Sequence, residues 1–312
     1  MDILAETQHV SKRYGETRAV DDVSIRVRKG RSLGLMGESG SGKTTLGMLM
    51  AGLEKATNGR ILFMGTEIQS LKERKIRPLR KDLQMIFQSS GSVFDPGYTI
   101  GESIGEVLKN YTSISKKERE EKIQEALSQV GLEHTMKDRY VSQLSGGQCQ
   151  RANIARALAL HPKLVICDEP VSSLDFSIRR QILDLLNNIR EKNGVTYLLI
   201  THDLSNVPYV CDEAAVMYQG RLVEFIDHAS SVKTDAVHPY TRLLYDSLPA
   251  SSPEERRIGA AAKYVSSMFQ EPPENGCPFY SRCKYRIDIC RSVLPSMKDL
   301  APGHQVACHL YT

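Results

Sequence analysis

Gly37-Glu38-Ser39-Gly40-Ser41-Gly42-Lys43-Thr44 is the stretch whose reading decides the fold. A short apolar run, Leu33-Gly34-Leu35-Met36, precedes it, and Thr45-Leu46-Gly47-Met48-Leu49-Met50-Ala51-Gly52 follows. Strand, glycine-rich turn and helix in that order leave free backbone N–H groups at a helix start, where the peptide dipoles put partial positive charge. Such a turn is a ready site for phosphate. Glycines let the backbone approach the phosphates with no Cβ in the way. Lys43 has the reach for the β- and γ-phosphates, and the Thr44 hydroxyl can ligate Mg²⁺. The stretch predicts nucleotide binding and leaves open what the nucleotide drives.

Working outward, Ile3 to Val10 reads as a first strand, and Val23, Ile25 and Val27 alternate with polar residues as in a half-buried antiparallel strand. Tyr14, between them, is placed to stack on adenine. Ile61-Leu62-Phe63 and Asp82 to Phe87 are further short strands, the second ending at Gln88. From about Thr99 to Ala159 the pattern turns helical; Ser115-Lys116-Lys117-Glu118 is a capping box, and Gly131 ends that helix. These helices read as an insertion in an α/β core. Leu144-Ser145-Gly146-Gly147-Gln148 is a second glycine-rich turn feeding a helix, hence a second potential phosphate contact.

Lys163-Leu164-Val165-Ile166-Cys167-Asp168-Glu169-Pro170 is a continuous apolar run ending in two carboxylates. That is the pattern of a strand buried on both faces in a parallel sheet, where ligands collect at the carboxyl ends. Asp168 there can hold Mg²⁺, and Glu169 can orient or deprotonate a water. Val195 to Ile200 repeats the pattern, with His202 just beyond its end as a γ-phosphate contact. Ala214 to Phe225 reads as a hairpin closing the first domain near residue 230.

Five elements in this order resemble the ATPase subunits of ABC transporters: Gly37–Thr44, Gln88, Leu144–Gln148, Leu164–Glu169 and His202. The resemblance covers residues 3 to 230, and Leu-Ser-Gly-Gly-Gln separates this family from other P-loop NTPases. It implies a head-to-tail dimer with ATP sandwiched between subunits. Gly37, Glu38, Ser39, Gly40, Ser41, Gly42, Lys43, Thr44 and Thr45 would hold the nucleotide, with Tyr14 on adenine. Thr44, Gln88 and Asp168 would organise Mg²⁺, and Glu169 would be the general base beside Gln88 and His202. Ser145, Gly146, Gly147 and Gln148 would complete the partner's ATP site, and Asp175 would lie at the interface.

The tail narrows the resemblance. His238-Pro239-Tyr240-Thr241, a Pro/Glu-rich linker from Ser251 to Gly276, and then Cys277, Cys283, Cys290 and Cys308 resemble the C-terminal domain of oligopeptide/dipeptide-type ABC importer ATPases. Relatives of that subfamily include nickel and metal-chelate importers. The implied fold is an α/β P-loop NTPase core with an antiparallel β subdomain, an inserted helical subdomain (about 89–160) and a small cysteine-rich extension. The expected domains are 1–235 and 236–312. The four cysteines can supply thiolates to a [4Fe–4S] cluster, with zinc as the alternative. After Gln88 the chain reads Ser89 to Pro96, where the family often has Asp-Pro directly; that segment faces the membrane subunits in the family.

The implied function is ATP hydrolysis powering import of di- or oligopeptides. The implied partners are a second homologous ATPase subunit, two transmembrane permeases and an extracytoplasmic substrate-binding protein. Composition agrees with a peripheral place on the cytoplasmic face of the inner membrane. The chain has 312 residues with a net charge of +4, no apolar run long enough to span a bilayer and no signal peptide. Scattered basic residues argue against nucleic acid. Seven cysteines without a secretory signal predict no structural disulfides, and the four in the last 36 residues point to a metal site instead. A soluble ABC-type ATPase of translation or DNA repair is the rival class; those usually carry two ATPase units in one chain or a long coiled-coil insertion, and neither is present.

Overall fold

A computed structural model describes residues 2–247, 273 and 275–311. Most of the linker expected over 251–276 therefore lies outside the described residues. Among the described residues twelve strands form two sheets. The first sheet, order β2-β1-β4-β5, is antiparallel: β1 Ile3–Tyr14, β2 Thr17–Arg28, β4 Asn58–Phe63 and β5 Thr66–Glu67. Along β2 the branched side chains of Val23, Ile25 and Val27 face inward while Ser24 and Arg26 face water, the alternation a one-sided sheet requires.

The second sheet runs β11-β12-β10-β9-β3-β8-β7-β6. Five of its strands, β3 (Leu33–Met36), β6 (Leu83–Ile86, at one end), β7 (Leu164–Asp168), β8 (Thr196–Thr201) and β9 (Glu213–Tyr218), pair in parallel. All residues of β3, β7, β8 and β9 are buried, and the strands are apolar apart from end residues such as Asp168, Thr196, Thr201 and Glu213. The register aligns their ends: Met36 pairs with Thr201, and Asp168 with Ile200. Gly37, Glu169 and His202 therefore leave the sheet at one edge.

The helical insertion has a cap at each start. Thr99 and Glu102 form a capping box on helix Ile100–Tyr111, as Ser115 and Glu118 do on helix Lys116–Gln129. The segment after Gln88 makes a short turn, Ser90–Val93, that buries Phe94.

β10 (Arg221–Ile226), β11 (Lys298–Ala301) and β12 (His304–Val306) end the sheet, β10 pairing antiparallel with both β9 and β12. The C-terminal residues thus extend the second sheet itself. Phe279, Cys277 and Cys290 belong to the same apolar core as Met36 and Tyr218. Burying a phenylalanine of this kind contributes about 2–3 kcal/mol, so apolar packing as well as strand pairing holds the extension. Among the described residues no helix is long and apolar enough to cross a membrane.

Candidate functional site: a phosphate cleft at the sheet edge

The turn after β3 is locked from two sides. Gly37 has φ 147°, and a Cβ there would stand 2.2 Å from the Met217 carbonyl oxygen; Gly42, at φ 98°, would meet the Ala19 carbonyl oxygen at 2.1 Å. No other residue fits either position. Helix Lys43–Met50 starts directly behind, with Gly42 as its left-handed cap. Lys43 is buried and donates to the carbonyl oxygens of Gly37 (2.8 Å) and Glu38 (2.7 Å) and to Ser41 Oγ (3.2 Å). Burial pulls its pKa down, while the charges of Glu169, Asp168 and Glu38 hold it up.

A cleft of about 810 Å³ opens over this turn, a size ordinary for small-molecule sites. Every residue from Gly37 to Thr45 except Ser41 lines it, and so do Gln88, Glu169 and His202. The Thr44 hydroxyl donates to Asp168 Oδ1 at 3.0 Å. Asp168 is buried, and that burial raises its pKa, partly offset by the Thr44 hydrogen bond. One hydroxyl and one buried carboxylate are hard oxygen donors of the type Mg²⁺ takes together with substrate phosphates, so the residues fit that ion.

Glu169 sits at φ 46°, a left-handed conformation uncommon for a residue with a side chain. Its N–H donates to the Ile200 carbonyl at 2.9 Å, tying the bend to β8. The bend aims the carboxylate at two partners: His202 Nδ1 lies 2.7 Å from Oε1, and Gln88 Nε2 donates to Oε2 at 3.3 Å. Three residues distant in sequence thus form one hydrogen-bonded row that can hold and deprotonate a water facing the cleft.

Other predicted residues lie apart. Tyr14 ends β1, half exposed with Lys12 Nζ 4.8 Å above its ring, and is not among the cleft's lining residues. Ser145 caps helix Gly146–Leu158 through a reciprocal box with Gln148, and none of Ser145, Gly146, Gly147 or Gln148 lines this cleft. Asp175 is the cap residue of helix Phe176–Asn193; Arg179 pins the loop before it by bonding the Leu174 carbonyl at 2.7 Å.

Among the described residues the seven cysteines form no disulfide. Among the described residues no group of three or more His, Cys, Asp or Glu side chains is arranged to hold a metal ion. The expected cluster of Cys277, Cys283, Cys290 and Cys308 therefore finds no support here. Burial pushes the Cys277 thiol up to about 12 and the Cys308 thiol to about 11.

Sequence reasoning missed the extension's share of the cleft. Leu244 and Ser247 line it, and Tyr240 and Arg282 bond Glu38. No local signal marks contacts across more than two hundred residues.

Residues 20–172 match the ABC transporter family, and residues 223–290 match the oligopeptide/dipeptide transporter C-terminal region. The oligopeptide transport ATP-binding protein AppF of Bacillus subtilis is 41% identical over 306 residues, covering 96% of this chain and 92% of AppF. Among solved structures, the dimeric ATP-binding cassette MJ0796 in a post-hydrolysis state with ADP and Pi superposes with TM-score 0.64 at 28% identity, covering 70% of this chain and 96% of that one. CbiO1 of Clostridium perfringens, part of the ABC transporter complex cbiONQ, gives TM-score 0.69 at 27% identity, covering 84% and 99%. An α/β P-loop core with both expected subdomains, the strand-end carboxylates and a relative matched along nearly its whole length agree: the chain belongs to the ATP-binding proteins of the oligopeptide/dipeptide ABC transporters.

Proposed function

We propose that this chain hydrolyses ATP to power peptide import through a membrane ABC transporter. The observation that carries the chemistry is the convergence of Lys43, the Thr44–Asp168 pair and the Gln88–Glu169–His202 row on one cleft. The peptide assignment rests on the kinship with AppF and on the matched C-terminal region.

In this reading the Gly37–Thr45 backbone and Lys43 bind and orient the triphosphate. Thr44 and Asp168, with Gln88, would hold Mg²⁺, which supplies charge neutralisation on the phosphate oxygens. Glu169 takes the proton of the attacking water, and His202, held against its carboxylate, fixes the carboxylate's orientation and reaches the γ-phosphate. Tyr14 supplies a stacking face for adenine. Ser145, Gly146, Gly147 and Gln148 serve the ATP bound by a second, homologous ATPase subunit, with Asp175 between the two sites. Such a dimer closes on ATP and opens when the γ-phosphate leaves. Two transmembrane permeases and an extracytoplasmic substrate-binding protein complete the assembly, with this subunit peripheral on the cytoplasmic face of the inner membrane. Residues 1–235 form the ATPase unit and 236–312 the extension.

A [4Fe–4S] cluster at Cys277, Cys283, Cys290 and Cys308 stays part of the proposal. Its support is the resemblance of the four-cysteine extension to that of the oligopeptide/dipeptide importer ATPases, and not the arrangement of the side chains. Iron and acid-labile sulfide, measured after anaerobic purification, should both be present; zinc without sulfide would overturn it.

Glu169→Gln tests the mechanism. Turnover should fall by about 10²–10⁴-fold, the usual worth of a general base, while MgATP binding persists and the ATP-bound dimer with the partner ATPase becomes long-lived. Normal turnover in that variant would sink the assignment. Stimulation of the reconstituted transporter by a metal chelate and not by a peptide would overturn the substrate class.

A further inference from the structure

Glu38 is the second residue of the phosphate turn, and the C-terminal extension holds it at both ends. Its N–H donates to the Tyr240 hydroxyl at 2.8 Å, and Tyr240 is fully buried in helix Pro239–Asp246. Its carboxylate takes both arms of the Arg282 guanidinium, Nη1 to Oε2 and Nη2 to Oε1, each at 2.8 Å. Arg282 immediately precedes Cys283. Its guanidinium lies 5.7 Å from the Tyr218 ring centre and 5.5 Å from that of Phe279. Those rings meet edge to face at 5.3 Å, and Tyr240 packs on both. A planar fork stacked on aromatic rings is preorganised for a carboxylate.

The charge it meets matters. Glu38 lines the cleft, and its half-exposed carboxylate stands on the same turn that would bind the triphosphate. Lys43 Nζ bonds the Glu38 carbonyl and feels the carboxylate's charge. Unopposed, that carboxylate repels the incoming phosphates.

We propose that Arg282 is a positioning residue of the ATP site: it cancels the Glu38 carboxylate, so the phosphate turn accepts ATP fully only while the C-terminal extension is docked. The inference rests on reading Gly37–Thr44 as the phosphate turn. Linkage makes the effect reciprocal, so MgATP favours the docked extension by the same factor.

The test is MgATP affinity of the full chain by calorimetry, with thermal melts to establish that each variant is folded. The pair is half exposed, which limits its strength, so Arg282→Ala should weaken MgATP binding about five- to tenfold. The loss should shrink in high salt. Adding Glu38→Gln to Arg282→Ala should bring the affinity back to within about twofold of the starting protein, because the repelling charge is then gone. A merely structural tether would leave the double variant as weak as the single one, and that result overturns the inference. So does an unchanged affinity in Arg282→Ala. Arg282→Lys is the second probe if the alanine variant fails to fold. Retained affinity supports charge cancellation; a salt-independent loss overturns it. If the unaltered chain bound no MgATP, the phosphate-turn assignment would fall together with this inference, whereas equal binding by all variants sinks this inference alone.

Discussion

Two glycine-rich turns each feed a helix in this chain, and they use their glycines differently. In Gly37–Thr44 the chain's own backbone demands them: Gly37, Gly40 and Gly42 have positive φ, and carbonyl oxygens of Met217 and Ala19 stand where a Cβ would go at the first and third. In Ser145–Gln148, Gly146 and Gly147 have no such φ. A Cβ on Gly146 would meet only Leu174 Cδ2, at an ordinary 3.7 Å. Ser145 and Gln148 already cap each other's backbone. The first turn is a cradle completed within one chain. The second carries a glycine that this chain's fold does not require, as expected of a helix start kept clear for another molecule.

The largest effect that could break this contrast is on stability. Gly42→Ala forces a Cβ to within 2.1 Å of the Ala19 carbonyl at a φ that L-residues avoid. It should cost about 3 kcal/mol or more, seen as a large drop in the denaturant midpoint, together with loss of MgATP binding. A variant as stable as the parent would show that the cradle is looser than described.

Gly146→Ala should do the reverse. Replacing glycine at a helix start where the new methyl has room changes stability by less than about 1 kcal/mol, in the stabilising direction. Turnover of the assembled ATPase pair should nevertheless drop by about tenfold or more, because the methyl crowds a donor meant for the partner's ATP. Unchanged turnover in the stable variant would remove the argument that the second turn serves a neighbour.

The same contrast explains what the sequence made legible. Both turns, the buried strands β7 and β8 and their carboxyl-end residues are local patterns, and local patterns survive reading in one dimension. The placement of Asp168, Glu169 and His202 at one sheet edge was readable because parallel strands all point their carboxyl ends the same way. Tyr14 did not fall on the lining of the cleft, since a strand that continues to Tyr14 carries its ring out along the hairpin. The extension was the least legible part. Its few apolar residues, Phe279 foremost, insert into the ATPase core, and β12 pairs with β10; neither pairing leaves a periodic trace. The Ser145–Gln148 capping box was present in the sequence as Ser-Gly-Gly-Gln, hidden under its functional reading.

The smallest expected effect sharpens the comparison on the cradle's side. A site built to hold phosphate and Mg²⁺ carries a cost that a self-capped helix start does not, and Asp168 shows it: burial raises the pKa of its carboxyl above the ordinary 3.8. A folded-state pKa above the unfolded value means that the fold favours the protonated form. Stability is therefore lost as pH rises through that raised pKa, and the loss is absent below the ordinary carboxylate range. Asp168→Asn keeps an oxygen for the Thr44 hydroxyl to donate to and removes the charge. It should melt a few degrees higher than the parent at pH 7, with the gap closing as pH falls through the acid range. Saturating MgATP should then reverse the order, because only the carboxylate gains from the cation. A gap that did not change with pH would mean that the buried charge is not what the cradle costs.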